Sequence, residues 1–225
     1  VVKSISENAL KNNHSKKDQT ESAKPASAAS GADFLFSSTT SAVILIGFMG
    51  AGKTTVGQLV ARQLGWTFED LDYRIEQREK QKVAEIFRNA GEDAFRKAEH
   101  AALQELLDEL SAGPEKIIAL GGGAFVQESI AMQIAATKVP TVFLDASVEE
   151  LWARCALQCK EEAIERPLLG SRENFQSLYE QRRPHYMKAH FHQSTTGKSV
   201  EVIAAELIQV LRLKEPERRR RGENE

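Results

Sequence analysis

The chain has 225 residues, 41% hydrophobic and 28% charged, with a formal net charge of −2. This is enough apolar material for one well-buried core, and a charge so near neutral gives no footing for nucleic acid or an anionic membrane surface. No apolar run reaches the length of a bilayer span. The two cysteines, Cys155 and Cys159, have no further Cys or His at zinc-site spacing and read as reduced thiols of a cytosolic protein.

Residues 1–41 are rich in Ser, Ala, Asn, Lys and Thr and show little apolar periodicity. They are expected to form a disordered extension. The segment lacks the apolar core of a secretory signal. It contains no Arg and carries Glu7, Asp18, Glu21 and Asp33, unlike an organelle transit peptide. The cytoplasm is therefore the expected compartment, with a plastid as the alternative. The folded unit is expected over residues 42–213.

Val43-Ile44-Leu45-Ile46 reads as a buried strand. It runs into Gly47-Phe48-Met49-Gly50-Ala51-Gly52-Lys53-Thr54, a complete G-x-x-x-x-G-K-[ST] pattern. A helix follows, with Val56, Leu59, Val60 and Leu64 on one face. Strand, glycine loop and helix together are what a phosphate-binding loop requires. The curled backbone points N–H groups at an anion, and the helix N-terminus adds partial positive charge. Lys53 can reach the outer phosphates and the Thr54 hydroxyl can ligate Mg²⁺, so ATP or GTP with Mg²⁺ is expected.

Thr67-Phe68-Glu69 predicts a strand ending at Asp70, with Asp72 just beyond. Two carboxylates opposite a phosphate loop can hold Mg²⁺ through water and take a proton from a substrate hydroxyl. Alternatively, they simply open a helix, where Asp is a common N-cap. Helix is expected from Tyr73 to a stop at Gly91. Glu92 and Asp93 then begin a long helix, where acids suit the dipole, with Phe95, Ala98, Ala102, Leu106 and Leu110 at helical spacing. Lys116 to Leu120 is another buried strand. It ends in Gly121-Gly122-Gly123, which permits close approach to a ligand or forms a flexible turn. Thr141 to Leu144 is a further strand, and Val148, Leu151, Trp152 and Cys155 face one way on the helix after it.

A polar segment, Lys160 to Glu165, precedes Arg166-Pro167-Leu168-Leu169. Arg182 follows Phe175, Leu178 and Tyr179 at seven, four and three residues, on the inner face of its helix. A guanidinium placed there without a nearby acid calls for a carboxylate or phosphate. Val200 to Leu213 predicts a closing amphipathic helix. Residues 214–225 read as a charged, solvated, disordered tail, with acids on both sides of Arg218 to Arg221. Strands alternating with helices imply an α/β three-layer sandwich, a central parallel sheet flanked by helices. Ligands in such sheets bind beyond the carboxyl ends of the strands.

Taken together, the phosphate loop with Thr55-Val56-Gly57, Phe68-Glu69-Asp70-Leu71-Asp72, Ala84-Glu85-Ile86-Phe87, Gly91-Glu92 with Phe95-Arg96 and Glu99, the triglycine, Arg166-Pro167-Leu168-Leu169 and Arg182-Arg183-Pro184-His185-Tyr186 resemble shikimate kinase in order and near-family spacing. The resemblance covers about residues 43–213. It implies a P-loop kinase architecture like that of the nucleoside-monophosphate kinases, with a mobile lid over about residues 157–170. It also implies ATP-dependent phosphorylation of the 3-hydroxyl of shikimate, in the route to chorismate and aromatic amino acids.

Carried over, Lys53, Asp72 and Arg166 would be catalytic. Gly50, Ala51, Gly52, Lys53, Thr54, Thr55 and Arg166 would bind ATP, and Asp72, Arg96, Gly121, Gly122, Gly123 and Arg182 would bind shikimate. Thr54 would ligate Mg²⁺ directly and Asp70 through water. Arg154 and residues 194–199 fall near where the family holds adenine. A monomer is expected. Three features depart from the pattern: acidic Glu161, Glu162 and Glu165 near the lid, Gln81-Lys82 where a glycine is usual, and the N-terminal extension. The competing readings are another small-molecule P-loop kinase, such as gluconate kinase, and a nucleotide-binding relative without turnover.

Overall fold

The computed structural model describes residues 40–111, 113–162 and 171–214. Their strands are β1 (Ala42–Ile46), β2 (Thr67–Asp70), β3 (Lys116–Ala119), β4 (Thr141–Asp145) and β5 (Phe191–Ser194). The helices are α1 (Lys53–Leu64), α2 (Leu71–Glu79), α3 (Val83–Asp108), α4 (Glu128–Thr137), α5 (Val148–Glu162), α6 (Arg172–Tyr186) and α7 (Val200–Val210). All strand pairs are parallel, in the order β2-β3-β1-β4-β5. A parallel sheet covered on both faces needs strands that are apolar throughout rather than alternating. Ile44, Leu45, Ile46, Ile117, Ile118, Val142 and Phe143 meet that need and are fully buried.

Register places the functional loops. Leu45, Ala119 and Asp70 stand in one row across β1, β3 and β2. Two residues further along each chain come Gly47, Gly121 and Asp72, so all three loops leave the same edge of the sheet. Leu120 N–H still bonds Leu45 O at 3.0 Å, which keeps the first and third loops side by side as they emerge.

Several elements depart from expectation. Helix begins at Leu71, not Tyr73, and a break at Lys80–Lys82 separates α2 from α3. Gly91, by contrast, breaks α3 where a stop was expected: its backbone is non-helical (φ 80°, ψ 178°), and two helical segments meet there at a kink. α7 ends at Val210, and Leu211 and Leu213 instead bury as a turn. α4 and β5 had no counterpart in the sequence reading. β5 is an edge strand of Phe191, His192, Gln193 and Ser194, of which Gln193 is the one buried residue, so it lacks an apolar run. Leu157 to Glu162 continue α5, so the expected lid begins inside a helix. The expected extension, the tail beyond Lys214 and Arg166 to Leu169 lie outside the described residues.

One polar joint secures the α2 side of the sheet. Lys116, 5% exposed, lies 2.5 Å from Glu109 Oε2 and 3.6 Å from Glu69 Oε1. Arg74 of α2 also bonds Glu109. Arg74, then Lys116, hold the Glu109 carboxyl below its ordinary value of 4.5. A depressed acid stabilises the fold above its unfolded value, and that stabilisation is lost as pH falls through the folded one. Glu109 is 41% exposed, so the effect is screened. Glu109→Gln is expected to lower stability by about 1 kcal/mol at pH 7. In urea melts the difference should shrink as pH drops below the unfolded value.

Candidate active site

The phosphate loop begins as β1 ends. Gly50 and Gly52 adopt left-handed backbone (φ 78° and 88°), which L side chains rarely do. A Cβ on Gly50 would also stand 2.8 Å from Cys155 Sγ, so buried Cys155 of α5 packs directly beneath the loop. Lys53 folds back to donate to Gly47 O (2.9 Å) and Phe48 O (3.0 Å). Its ammonium therefore sits over the curl that would receive phosphates. Arg154 of α5 donates to Gly50 O (3.3 Å) and to Glu150 Oε1 (2.7 Å).

Asp70 takes the capping role that the sequence offered and turns its second oxygen toward the phosphate loop. Its Oδ1 accepts from Asp72 N–H (3.1 Å) and Tyr73 N–H (3.4 Å), capping α2. Its Oδ2 accepts from Thr54 Oγ1 at 2.9 Å. These two hard oxygens at the mouth of the phosphate loop suit Mg²⁺, which takes one or two protein donors and completes its shell with nucleotide phosphate and water. Among the described residues no group of three or more His, Cys, Asp or Glu forms a cage for a metal ion.

The cap fixes Asp72 in the first turn of α2, half-buried and facing the triglycine. Burial, then the charges of Asp70 and Glu99, push its carboxyl up from 3.8 to about 6, while Lys53 pulls it down. A carboxylate so disposed is a better proton acceptor than an exposed one.

The triglycine is where the site closes. A Cβ at Gly121 would lie 2.6 Å from Asp72 Oδ1, and one at Gly123 would lie 3.2 Å from an Arg96 guanidinium nitrogen. Gly122 O accepts from Tyr186 and, at 3.4 Å, from Arg182 Nη1. Glycine here lets a carboxylate and two guanidiniums crowd one strand end. Arg96 is held by Glu99 Oε2 (2.7 Å) and Glu92 Oε1 (2.9 Å). Glu99 is 1% exposed and also receives Gln127 Nε2 at 2.6 Å. Arg182 is half-buried, with its guanidinium 5.8 Å from the Phe48 ring centre, and among the described residues no carboxylate pairs with it. The neighbouring Arg183, by contrast, binds Asp145 Oδ2 at 2.7 Å.

A cavity of about 480 Å³ joins Gly50, Gly52, Lys53, Thr54, Thr55, Asp70, Asp72, Gly121 and Gly122. Met49, Leu120, Arg154 and Gln158 complete its lining. Ala51, buried within the loop, and Gly123, the last residue of the triglycine, are not in this lining, nor are Arg96 and Arg182 beside the triglycine. Arg166 lies outside the described residues. Sequence reasoning did not single out Gln158, Gln127 or the Tyr186 hydroxyl. No spacing rule marks a glutamine or a lone tyrosine; only their positions in the fold do. Among the described residues no helix is long and apolar enough to cross a membrane.

With this geometry in hand, comparison with known proteins is specific. Residues 49–212 match the family model described as shikimate kinase. A shikimate kinase of Persephonella marina is 35% identical over 167 residues, covering 74% of this chain and 96% of that one. One from Thermus thermophilus is 38% identical over 172 residues, covering 75% and 89%. Among solved structures, shikimate kinase from Acinetobacter baumannii in complex with shikimate superposes with a TM-score of 0.68 at 30% identity, covering 77% of this chain and 94% of that one. Likeness of this extent in both sequence and fold, across nearly the whole length of the relatives, means that the chain belongs to the shikimate kinase family.

Proposed function

We propose that this chain transfers the γ-phosphoryl group of ATP to the 3-hydroxyl of shikimate, giving shikimate 3-phosphate and ADP on the way to chorismate and the aromatic amino acids. The observation that carries this reading is the triglycine. Asp72 meets its first residue, while Arg182 and Arg96 meet its second and third. Three residues of chain span at most about 10 Å. A proton acceptor and two carboxylate-binding cations at that separation fit a small ring bearing a hydroxyl at one end and a carboxylate at the other.

The roles follow from charge and position. Arg96 and Arg182 clamp the substrate carboxylate, and the Gly122 and Gly123 backbone lies against it. This orients the hydroxyl toward Asp72, which accepts its proton as the phosphoryl group departs from ATP. The backbone of residues 50–55 cradles the phosphates. Lys53 leaves its loop carbonyls for the outer phosphates and, with Arg166, balances charge on the group in flight. Thr54 would hold Mg²⁺ directly and Asp70 through a water; bound there, the ion would supply positive charge against the phosphate oxygens. Positioning of this kind supplies most of the catalysis that phosphoryl transfer needs. All these residues come from one chain, so a monomer suffices.

The test is ADP release with ATP, Mg²⁺ and shikimate, against gluconate and against no acceptor. Release that depends on shikimate is the expected result. Release with gluconate alone would keep the phosphate loop and overturn the clamp. Nucleotide binding without turnover on either would overturn the enzymatic reading. Arg182→Ala is expected to raise KM for shikimate about 10- to 100-fold, since each arginine–carboxylate hydrogen bond contributes about 1.5–3 kcal/mol. KM for ATP should stay within about twofold. An unchanged shikimate KM would remove Arg182 from the clamp.

A further inference from the structure

We infer that Tyr186 is a positioning residue that sets both the Gly122 peptide and Arg182, and so governs affinity for the acidic end of the substrate. The inference rests on the function proposed above.

Tyr186 closes α6 and is fully buried. Its ring lies 5.3 Å from that of Phe143, centre to centre, in the middle of β4. This packing accounts for the ring but not for the hydroxyl. A buried hydroxyl needs a partner, and here that partner belongs to the candidate site. The Tyr186 O–H donates to Gly122 O. Arg182, one helical turn earlier, lies close enough for its positive charge to favour the ionised form of the same phenol. Arg182 also reaches Gly122 O, at 3.4 Å. A tyrosine hydroxyl and an arginine of one helix thus converge on a single backbone carbonyl.

The geometry has a direct consequence for the backbone. A peptide plane is rigid, so fixing the Gly122 carbonyl also fixes the N–H of Gly123 on the opposite side of that plane. Gly122 and Gly123 carry no side chains that would otherwise hold the segment, and glycine is the residue freest to rotate. Tyr186 therefore supplies the restraint that the triglycine lacks. Burial keeps the phenol protonated, pushing it up to about 12, so it remains a donor throughout the neutral range. Phe at this position would keep the packing and lose the hydrogen bond to Gly122 O.

Tyr186→Phe is the test, read in full-length protein by steady-state kinetics with each substrate varied. The expected result is a shikimate KM raised about tenfold, with kcat and KM for ATP within about twofold of wild type. A residue that merely supports the fold would disturb both substrates together, or lower Tm with no change in either KM; each of those outcomes overturns the inference. A second measurement, the ¹⁵N–¹H shifts of the Gly121 to Gly123 amides, should change most at Gly123. Amides identical to wild type overturn the inference whatever the kinetics show. Wild-type turnover of shikimate with an unaltered Tyr186→Phe overturns this inference alone. A wild type inactive on shikimate overturns the functional reading and the inference with it.

Discussion

Asp72→Asn is expected to lower kcat for shikimate phosphorylation by about 10²- to 10⁴-fold, the usual range for removing a positioned proton acceptor. ATP affinity should be nearly unchanged, because Asp72 lies beside Gly121, whereas the proposed cradle for the phosphates is residues 50–55. The same substitution should stabilise the metal-free, nucleotide-free protein at neutral pH. Burial and the neighbouring carboxylates raise Asp72 from 3.8 to about 6. Below pH 3.8 the group is protonated in both folded and unfolded states, and it contributes no difference. Between the two values the folded state binds the extra proton, so stability falls as pH rises through this window. Above about pH 6 the whole penalty is present, at most about 3 kcal/mol for a shift of this size. Asn carries no charge and escapes it. Thermal melts in EDTA should show the variant more stable at pH 8, with the advantage gone by about pH 4. A variant less stable than wild type at pH 8 would mean that hydrogen bonds of Asp72 outweigh the burial of its charge. Near-normal kcat would remove it as the base.

Gly121→Ala is expected to inactivate the enzyme to a similar degree while leaving the fold intact. The added Cβ would lie 2.6 Å from Asp72 Oδ1, closer than a Cβ can approach, and a tight 3.3 Å from its Cγ. Of the two parties the carboxylate must yield. Gly121 follows a strand paired on both sides, and the Asp72 backbone is held by the Asp70 cap. Rotating one side chain is inexpensive, so the change in stability should be no more than about 1 kcal/mol. The displaced carboxylate, however, no longer faces the substrate hydroxyl, and a misplacement of about 1 Å is enough to lose two orders of magnitude in rate. Because the loss acts through Asp72, Gly121→Ala should cost little more in an Asp72→Asn background. Multiplying effects in that double-mutant cycle would show that Gly121 acts independently of Asp72.

The site was legible in the sequence wherever its chemistry depends on short-range order. A phosphate loop is a local object: one strand end, a glycine curl and one helix start. Residues 47–54 therefore announce it without help from the rest of the chain. Asp70 and Asp72 were legible as a pair, and the family resemblance gave each a role, but their hydrogen-bonding geometry was not. Whether Asp70 caps α2 or faces Thr54 is settled only when α1 and β2 are in place, and there its two oxygens do both. β5 and α4 escaped notice for a different reason. An edge strand buried on one side needs no apolar run, and α4, between the triglycine and β4, buries only Ile130 and Ile134.

Periodicity and motif spacing were thus sufficient for the parallel α/β class, the phosphate loop and the identities of the charged side chains, because each of these is set by residues within a few positions of one another. Tertiary structure alone decided which charges stay paired and which remain available. Arg96, Arg182 and Arg183 are equally basic in sequence. Packing gives Arg183 to Asp145, holds Arg96 on the buried Glu99 and leaves Arg182 over the Phe48 ring beside Gly122. It likewise decided that Asp72 is raised and that a tyrosine at the far end of α6 supports a glycine 64 residues earlier. Burial, electrostatic coupling and hydrogen bonding act through space, and the register of β1, β2 and β3 brings these distant residues to one edge of the sheet.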